Sequence, residues 1–249
     1  MPGKLIGEVA LVTGASSGIG EATALALAAE GAHVAVAARR GDRLAALVKR
    51  IIDNGGQAMP IIVDIADEAK VNDMVHTANA RWGRLDILVN NAGVMLLGPI
   101  EGANTEDWRR MVNINLLGLM YATRAALPFM KEQGGGHIVN ISSVAGRTAR
   151  AGSAVYNATK WGVVAFSEAL RQEVYRYKIR VTIIEPGAVA TELQEHITDP
   201  EARRETEEWI HSLRPLRSED IAAAIVFAVT QPPHVDINEM LIRPTDQQR

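Results

Sequence analysis

The sequence predicts an α/β fold in which a parallel β-sheet carries helices on both faces. Short β-rich segments alternate with longer helical patterns along the 249 residues. The predicted strands are near-continuous apolar segments, such as VALV, IIV and VTII, as is typical of strands buried on both faces. A glycine-rich turn also follows the first strand and opens the first helix. Together these patterns predict a doubly wound sheet with right-handed crossovers.

Seven strands and six helices are expected, and no repeat or linker divides the chain. The strands are the short β-rich segments Glu8–Val12, His33–Ala37, Ala58–Val63, Asp86–Val89, His137–Ile141, Arg180–Ile184 and Glu239–Ile242. The helices are the longer segments 18–30, 42–54, 67–82, 105–131, 154–177 and 218–230. Open α/β sheets of this length commonly form one domain, so we expect a single domain over residues 1–249.

One segment, residues 188–217, interrupts the alternation of strands and helices. It is long and charged, and it carries apolar residues at intervals. Long connections of this kind often cover functional sites. We therefore expect a substrate lid here, after a cofactor-binding core of about residues 1–187. The alternative is an ordinary helical insertion.

The composition of the chain limits the classes of function. Hydrophobic residues make up 47% of the chain, which supports a sizeable core, and the formal net charge is −3 with the basic residues dispersed. Nucleic acid is therefore not an expected partner, and no apolar stretch is long enough to predict a membrane span. There is no cysteine and the histidines show no metal-ligand spacing, so neither disulfides nor a metal site is expected. The first apolar segment is too short for a signal peptide, and we expect a cytoplasmic protein.

The first predicted strand leads into the glycine-rich turn TGASSGIG at residues 13–20. Glycines let a phosphate approach the backbone closely, and the N-terminus of the following helix offers free N–H groups with a partial positive charge. Between a strand and a helix of a βαβ unit, such a turn predicts a dinucleotide site, with a tight turn that binds no ligand as the alternative. The candidate residues of the turn are Gly14, Ser16, Ser17, Gly18, Ile19 and Gly20.

The end of the second predicted strand indicates which dinucleotide is bound. An acidic residue at this place accepts the ribose hydroxyls of NAD and repels a 2′-phosphate. This chain instead has Ala38 followed by Arg39 and Arg40. Because a guanidinium binds phosphate well and no carboxylate is present, NADP(H) is the predicted cofactor. Two solvated surface arginines are the alternative.

Ser143, Tyr156 and Lys160 form the candidate catalytic group. The helix predicted over 154–177 places Tyr156 and Lys160, at positions i and i+4, on one face. A neighbouring ammonium group favours the phenolate and lowers the pKa of a tyrosine, which is otherwise about 10. The pair is then able to move a proton to or from an alcohol or a carbonyl, and Ser143 adds a hydroxyl aimed at the same oxygen.

These motifs occur in the order and spacing of the short-chain dehydrogenase/reductase family, which the chain resembles over nearly its whole length. Further matches are Asn90-Asn91-Ala92-Gly93 after the fourth strand, Asn115 in the next helix, and Pro186-Gly187. The resemblance implies a single-domain Rossmann-type fold, with a doubly wound parallel sheet of seven strands. Segments 94–99, 115–121 and 242–247 resemble the subgroup that includes clavulanic acid dehydrogenase and bacterial NADP-dependent 3-hydroxy acid dehydrogenases.

The resemblance also implies a role for each catalytic residue. Tyr156 is the proton donor in reduction and the base in oxidation, while Ser143 orients and polarises the substrate carbonyl. Lys160 lowers the pKa of the tyrosine and hydrogen-bonds the nicotinamide ribose. Asn115 holds a water that links Lys160 to bulk solvent. The thirteen-residue spacing to Tyr156 selects Ser143 over its neighbour Ser142.

Other positions match family residues that contact the cofactor. By resemblance, Arg39 binds the 2′-phosphate and is assisted by Ser16, Ser17 or Arg40. Asp64 is expected at the adenine, with a helix cap or a loop aspartate as an equal alternative. The residues expected near the ribose and nicotinamide, together with Tyr156 and Lys160, are Asn91, Gly93, Pro186, Gly187 and Thr191.

The resemblance places the substrate between the catalytic group and segment 188–217. The expected lining is mostly apolar, which suits a small ketone or aldehyde. Its residues are Met95, Leu96, Val144, Ala145, Ala188 and Leu193, with Trp209 as a further candidate. Arg147 and Arg214 are candidates to receive a substrate carboxylate, and solvated surface charges are the alternative.

These features predict an NADPH-dependent carbonyl reductase that acts in reverse as an alcohol dehydrogenase. The alternative within enzymes is a 3-hydroxy acid dehydrogenase that forms a β-keto acid, and the remote alternative is a non-catalytic NADP(H)-binding protein. The expected partner is a small carbonyl or alcohol substrate. Small and apolar residues on the helices at 105–131 and 154–177, which pair subunits in the family, predict a homotetramer or a homodimer.

Overall fold

The computed structural model describes residues 3–248 and is organised around one parallel sheet of seven strands. The strands are β1 Val9–Thr13, β2 His33–Ala38, β3 Gln57–Ile62, β4 Ile87–Asn90, β5 Gly136–Ile141, β6 Ile179–Pro186 and β7 Glu239–Ile242. Their spatial order is β3-β2-β1-β4-β5-β6-β7, and every neighbouring pair is parallel. The order reverses between β1 and β4, where open α/β sheets form a crevice for ligands.

Eight α-helices are found among the described residues, and they cover both faces of the sheet. They are α1 Gly18–Ala29, α2 Gly41–Asp53, α3 Glu68–Trp82, α4 Thr105–Val112, α5 Gly118–Glu132, α6 Ala154–Val174, α7 Pro200–His211 and α8 Ser218–Val229. Helix α1 packs against α8 on one face, and α3 packs against α5 on the other. None of the helices in residues 3–248 has the length and apolar character needed to cross a membrane.

Two buried apolar clusters, one on each face of the sheet, explain the continuous apolar strands. Successive side chains of a strand point to opposite faces. In β1, Val9 and Leu11 belong to one cluster, whereas Ala10 and Val12 belong to the other. Strand β1 is therefore buried on both faces, as the sequence pattern predicts.

The two edge strands depart from that prediction. Ile62 at the end of β3 is 71% exposed, and Leu241 in β7 is 44% exposed. The expectation of burial on both faces is therefore wrong at the edges of the sheet. An apolar segment shows that a strand forms, but its exposure depends on its place in the strand order.

Two predicted helices have different limits in the structure. The helix predicted over 105–131 is divided into α4 and α5 by a π-helical turn at Asn113–Leu117. The helix predicted over 154–177 ends as α6 at Val174 and continues as a 3-10 turn over Tyr175–Tyr177. Single π-helical turns within helices are frequent at functional sites, and this one carries Asn115.

Residues 188–217, called the lid segment below, contain more helix than the sequence pattern predicts. A 3-10 turn spans Glu192–His196, and α7 follows it. Asp199 begins α7 as its N-cap, and its Oδ1 accepts a hydrogen bond from Ala202 N at 2.8 Å. The local structure is thus a helical insertion, and its function as a lid stays a prediction.

Candidate active site

A cavity of about 340 Å³ lies at the carboxyl ends of β1, β4, β5 and β6. Its walls are the glycine-rich turn, the segment after β4, the loop after β5, the start of α6 and the lid segment. Parallel strands bring the residues that follow them to the same edge of the sheet. Motifs that are distant in the sequence therefore meet in one cavity.

Ser143, Tyr156 and Lys160 all line this cavity. Tyr156 and Lys160 are buried on α6, while Ser143 follows β5 and begins a 3-10 turn. The Ser143 Oγ accepts a hydrogen bond from Ala145 N at 3.1 Å and donates to Pro186 O at 3.4 Å. The structure therefore brings together the three residues that the sequence singled out.

The neighbouring Ser142 has a different environment. It is buried, and its Oγ donates to Lys160 O at 3.1 Å, which ties the end of β5 to α6. The Ser143 hydroxyl instead interacts with the phenol of Tyr156. This difference favours Ser143 over Ser142 as the residue that meets a substrate.

Burial dominates the acid–base properties of Tyr156. It raises the pKa of the phenol to about 12, and the hydrogen bond with Ser143 opposes this increase. Burial also lowers the pKa of the Lys160 ammonium to about 8. The Lys160 Nζ donates to Ile141 O at 2.9 Å and lies 5.7 Å from the centre of the Tyr156 ring. Burial is thus the largest influence on the pKa of Tyr156, and the role of Lys160 in lowering that pKa stays a prediction.

Asn115 braces the two sides of the cavity. Its Oδ1 accepts a hydrogen bond from Val94 N at 2.8 Å, and its Nδ2 donates to Val94 O at 2.9 Å and to Thr159 Oγ1 at 3.2 Å. The amide thus joins the segment after β4 to α6 beside Lys160. Its position next to the catalytic group agrees with the sequence analysis, and the water-holding role stays a prediction.

The glycine-rich turn is shaped by close backbone contacts. Gly14 has a φ of +65°, and a Cβ on Gly20 would lie 2.4 Å from Gly14 O, so side chains are excluded at both positions. Asn91 Nδ2 donates to Thr13 O at 3.0 Å and to Gly14 O at 3.3 Å, which fixes the turn against the end of β4. The turn is therefore rigidly placed. Ser17, Gly18 and Ile19 line the cavity beside it.

The two arginines after β2 have different surroundings. Arg40 Nε donates to Ser16 Oγ at 3.0 Å, and its Nη2 donates to Ser17 Oγ at 2.6 Å. Arg39 is exposed, and within residues 3–248 its guanidinium makes no hydrogen bond or ion pair. Arg39 is thus the available cation, and Arg40 already connects to the glycine-rich turn.

A second cavity of about 150 Å³ lies between the ends of β1, β2 and β3. Gly14, Ser16, Arg39, Arg40 and Asp64 line it, and it adjoins the larger cavity at Gly93. The Asp64 Oδ1 also accepts a hydrogen bond from Ala66 N at 3.0 Å, so this carboxylate shapes its own loop as well as the cavity wall. The two cavities together form a trough along the edge of the sheet.

Comparisons with known proteins agree with this geometry. The family model described as short chain dehydrogenase matches residues 8–202. The chain belongs to the short-chain dehydrogenase family. An uncharacterized oxidoreductase of Staphylococcus saprophyticus is 40% identical over 243 residues, which cover 96% of this chain and 97% of that protein.

Solved structures of the same family are also similar to this dehydrogenase. The closed form of a serine dehydrogenase complexed with NADP+ is 37% identical, with a TM-score of 0.89 and coverage of 97% of this chain and 96% of that chain. A metagenomic short-chain oxidoreductase in complex with NADP is 32% identical, with a TM-score of 0.83 and coverage of 98% and 100%. In both comparisons the matched region includes the lid segment.

The residues predicted around the substrate and nicotinamide are largely brought together in this short-chain dehydrogenase. Those that line the larger cavity are Asn91, Gly93, Met95, Val144, Ala145, Pro186, Gly187, Ala188, Thr191, Leu193 and Trp209. The prediction that Leu96 lines the substrate cavity is wrong, because this side chain is buried in the apolar core. Leu97 lines the cavity instead. Sequence alone did not show which side of this segment faces the cavity.

The structure disfavours both candidate receptors for a substrate carboxylate. Arg147 Nε donates to both carboxylate oxygens of Glu185, at 2.8 and 2.9 Å, and the side chain of Glu185 is fully buried. Arg147 therefore neutralises a buried charge, and Arg214 does not line the cavity. Arg150, which the sequence analysis did not single out, lines the cavity with its guanidinium 5.6 Å from the centre of the Trp209 ring.

Gln247 is another cavity residue that the sequence analysis does not single out. It lies in segment 242–247, and the resemblance of that segment to the subgroup implies no role for the glutamine.

Among residues 3–248, no group of three or more His, Cys, Asp or Glu side chains is arranged to hold a metal ion.

Proposed function

We propose that this short-chain dehydrogenase is an NADPH-dependent carbonyl reductase that acts in reverse as an alcohol dehydrogenase. The observation that carries the proposal is the convergence of Ser143, Tyr156 and Lys160 in one cavity beside the glycine-rich turn. A small aldehyde or ketone is the substrate class that suits a mostly apolar cavity with this polar group at its end.

The residues along the trough fit a dinucleotide with a 2′-phosphate. Gly14 and Gly20 let the glycine-rich turn pack closely on itself and against the segment after β4. No side chain caps the N-terminus of α1, so its backbone N–H groups are available to a phosphate. Arg39, assisted by Arg40, supplies positive charge in the smaller cavity. The similar solved structures named with NADP+ and NADP support this choice of cofactor. When bound, the nicotinamide supplies the hydride.

The protonation states of the catalytic residues suit reduction. With a pKa raised to about 12, Tyr156 carries its proton at neutral pH and donates it to the oxygen of the reduced carbonyl. The Ser143 hydroxyl orients that oxygen. Lys160, whose pKa is lowered to about 8, is still mostly a cation at neutral pH and stabilises the phenolate left by proton transfer.

A second candidate is oxidation of a 3-hydroxy acid, and Arg150 is the observation that favours it. A guanidinium at the cavity wall is a suitable partner for a substrate carboxylate. Serine is chemically a 3-hydroxy acid, and a serine dehydrogenase is among the similar solved structures. A non-catalytic NADP(H)-binding protein is disfavoured because the whole catalytic group is retained.

A paired substrate screen tests the proposal. Purified enzyme is given NADPH with aldehydes and ketones, and NADP+ with 3-hydroxy acids, and the absorbance of the reduced cofactor is followed. Faster turnover of simple carbonyl compounds supports the reductase. Preference for 3-hydroxy acids, lost on Arg150→Met, supports the second candidate. No turnover in either direction contradicts both.

We also propose assembly into a homotetramer. Val112 on α4 and Trp161 on α6 are exposed, with Trp161 at 50%, and so are Phe227 on α8 and Leu241 in β7. Exposed apolar residues on these separate elements suit a tetramer with two kinds of contact. A monomeric mass by light scattering at micromolar concentration contradicts this. The cytoplasmic location stays a prediction.

A further inference from the structure

The lid segment leaves and re-enters the fold through a narrow neck. An isolated β-bridge joins Val189 to Leu216. Leu216 N donates to Ala188 O at 2.9 Å, and Ala190 N donates to Leu216 O at 2.9 Å. The two ends of the segment are therefore adjacent, and contacts at this neck bear on both ends at once.

The C-terminal residues lie across this neck and contact both of its sides. Gln247 Oε1 accepts a hydrogen bond from Ala188 N at 2.8 Å, at the outgoing side. The adjacent Asp246 Oδ2 accepts one from Arg214 N at 3.1 Å, at the returning side. Two consecutive side chains thus satisfy one backbone N–H group at each end of the lid segment.

Gln247 is also built into the cavity wall. It is 7% exposed and lines the cavity together with Gly187 and Ala188. A Cβ on Gly187 would lie 2.2 Å from Gln247 Oε1, so the glutamine occupies the space that a side chain at position 187 requires. The conformation of Gly187-Ala188 is therefore matched to the presence of the glutamine.

We propose that Gln247 and Asp246 are positioning residues that clamp the two ends of the lid segment. Gln247 acts through the backbone of Gly187 and Ala188, and Asp246 acts through the backbone of Arg214. The clamp holds the substrate side of the cavity in place without touching the reacting atoms. The expected change in KM for the carbonyl substrate rests on the proposed reductase function, whereas the expected change in trypsin cleavage of the lid segment does not.

Variants of both residues test the clamp. Gln247→Met removes the oxygen that accepts from Ala188 N and keeps a side chain of similar volume. Asp246→Ala removes the oxygen that accepts from Arg214 N, at an exposed position where folding is not at risk. Gln248→Ala, at the exposed neighbouring glutamine, is the matched control. The structural readout is the rate of trypsin cleavage at Arg203 and Arg204 of α7, which depends on local opening of the lid segment.

Gln247→Met loses one buried hydrogen bond, and we expect its cleavage rate and its KM for the carbonyl substrate to rise roughly tenfold. Its kcat and its Kd for NADPH should stay within about twofold of the natural chain. Asp246→Ala should show the same pattern more weakly. Cleavage rates and KM equal to those of Gln248→Ala overturn the proposal. So does a lower kcat and Tm at unchanged KM and cleavage rate, which indicates a merely structural role. If the enzyme reduces no carbonyl compound, the cleavage rates alone decide.

Discussion

Arg40 and Glu192 form an ion pair, with 2.8 Å between Arg40 Nη1 and Glu192 Oε2, that joins the residues after β2 to the lid segment. Arg43 contacts the other oxygen of the same carboxylate at 2.5 Å. Hydrogen bonds from Arg40 and Arg43 lower the pKa of Glu192 to about 2, so the carboxylate is charged at neutral pH. A guanidinium proposed to assist in phosphate binding is thus shared with the lid segment.

Glu192→Gln should tighten NADPH binding by about two- to fivefold and leave NADH binding unchanged, because the carboxylate competes with a 2′-phosphate for the same guanidinium groups. Fluorescence titration with both cofactors measures this. Glu195→Gln, at an exposed site in the same 3-10 turn, is the control and should bind NADPH like the natural chain. Unchanged or weaker NADPH binding in Glu192→Gln contradicts the competition.

Arg39→Asp should raise the Kd of NADPH at least about tenfold and affect NADH little, since it replaces the available cation by a charge that repels phosphate. The Kd of NADPH for Arg39→Ala should lie between that of the natural chain and that of Arg39→Asp. Titration with both cofactors separates two causes. Loss of phosphate recognition weakens the binding of NADPH alone, whereas loss of folding weakens the binding of NADPH and NADH. An unchanged Kd for NADPH removes Arg39 from the phosphate site.

Tyr156→Phe should lower kcat about 10²- to 10⁴-fold, because it removes the proton donor while preserving the ring. The Kd of NADPH should remain within about twofold, since the cofactor trough is otherwise intact. Stopped-flow turnover and cofactor titration on one preparation test both expectations. Activity close to that of the natural chain excludes Tyr156 as the general acid.

The rate of carbonyl reduction should fall as the pH rises above about 8. Below this value Lys160 is a cation, and above it burial favours the neutral amine, which no longer stabilises a phenolate. Tyr156, with a pKa of about 12, keeps its proton throughout. A profile of kcat/KM from pH 6 to 10 should therefore show one decline governed by Lys160. A flat profile contradicts the assignment, and parallel NADPH titrations control for cofactor binding.

Arg147→Ala should lower the free energy of unfolding by about 2 to 3 kcal/mol, because it leaves the buried Glu185 carboxylate unpaired. The loss is smaller than for a fully buried pair, since the Arg147 side chain is 36% exposed and partly screened by water. Arg171→Ala, which breaks a surface pair with Glu168, is the control and should lower the free energy of unfolding much less, because water screens that pair. Urea denaturation measures both, and equal losses contradict the prediction.

The sequence predicted the features that depend on short stretches of chain. The apolar strands, the helical spacing of Tyr156 and Lys160, and the glycine-rich turn after the first strand all lie where they were expected. The π-helical turn that carries Asn115 was not predicted, because its residues also suit a continuous α-helix. Helix α7 was missed because its sequence is mostly charged and shows little apolar periodicity.

By itself, then, the sequence determined the fold class and indicated the candidate catalytic group, since periodicity and motif spacing are local properties that the backbone translates directly into structure. Only the tertiary structure decided that Leu96 faces the core, that Arg147 neutralises Glu185, and that Gln247 meets Ala188. These contacts join residues far apart in the chain. The raised pKa of Tyr156 has the same origin, because desolvation is the sum over every atom packed around the phenol.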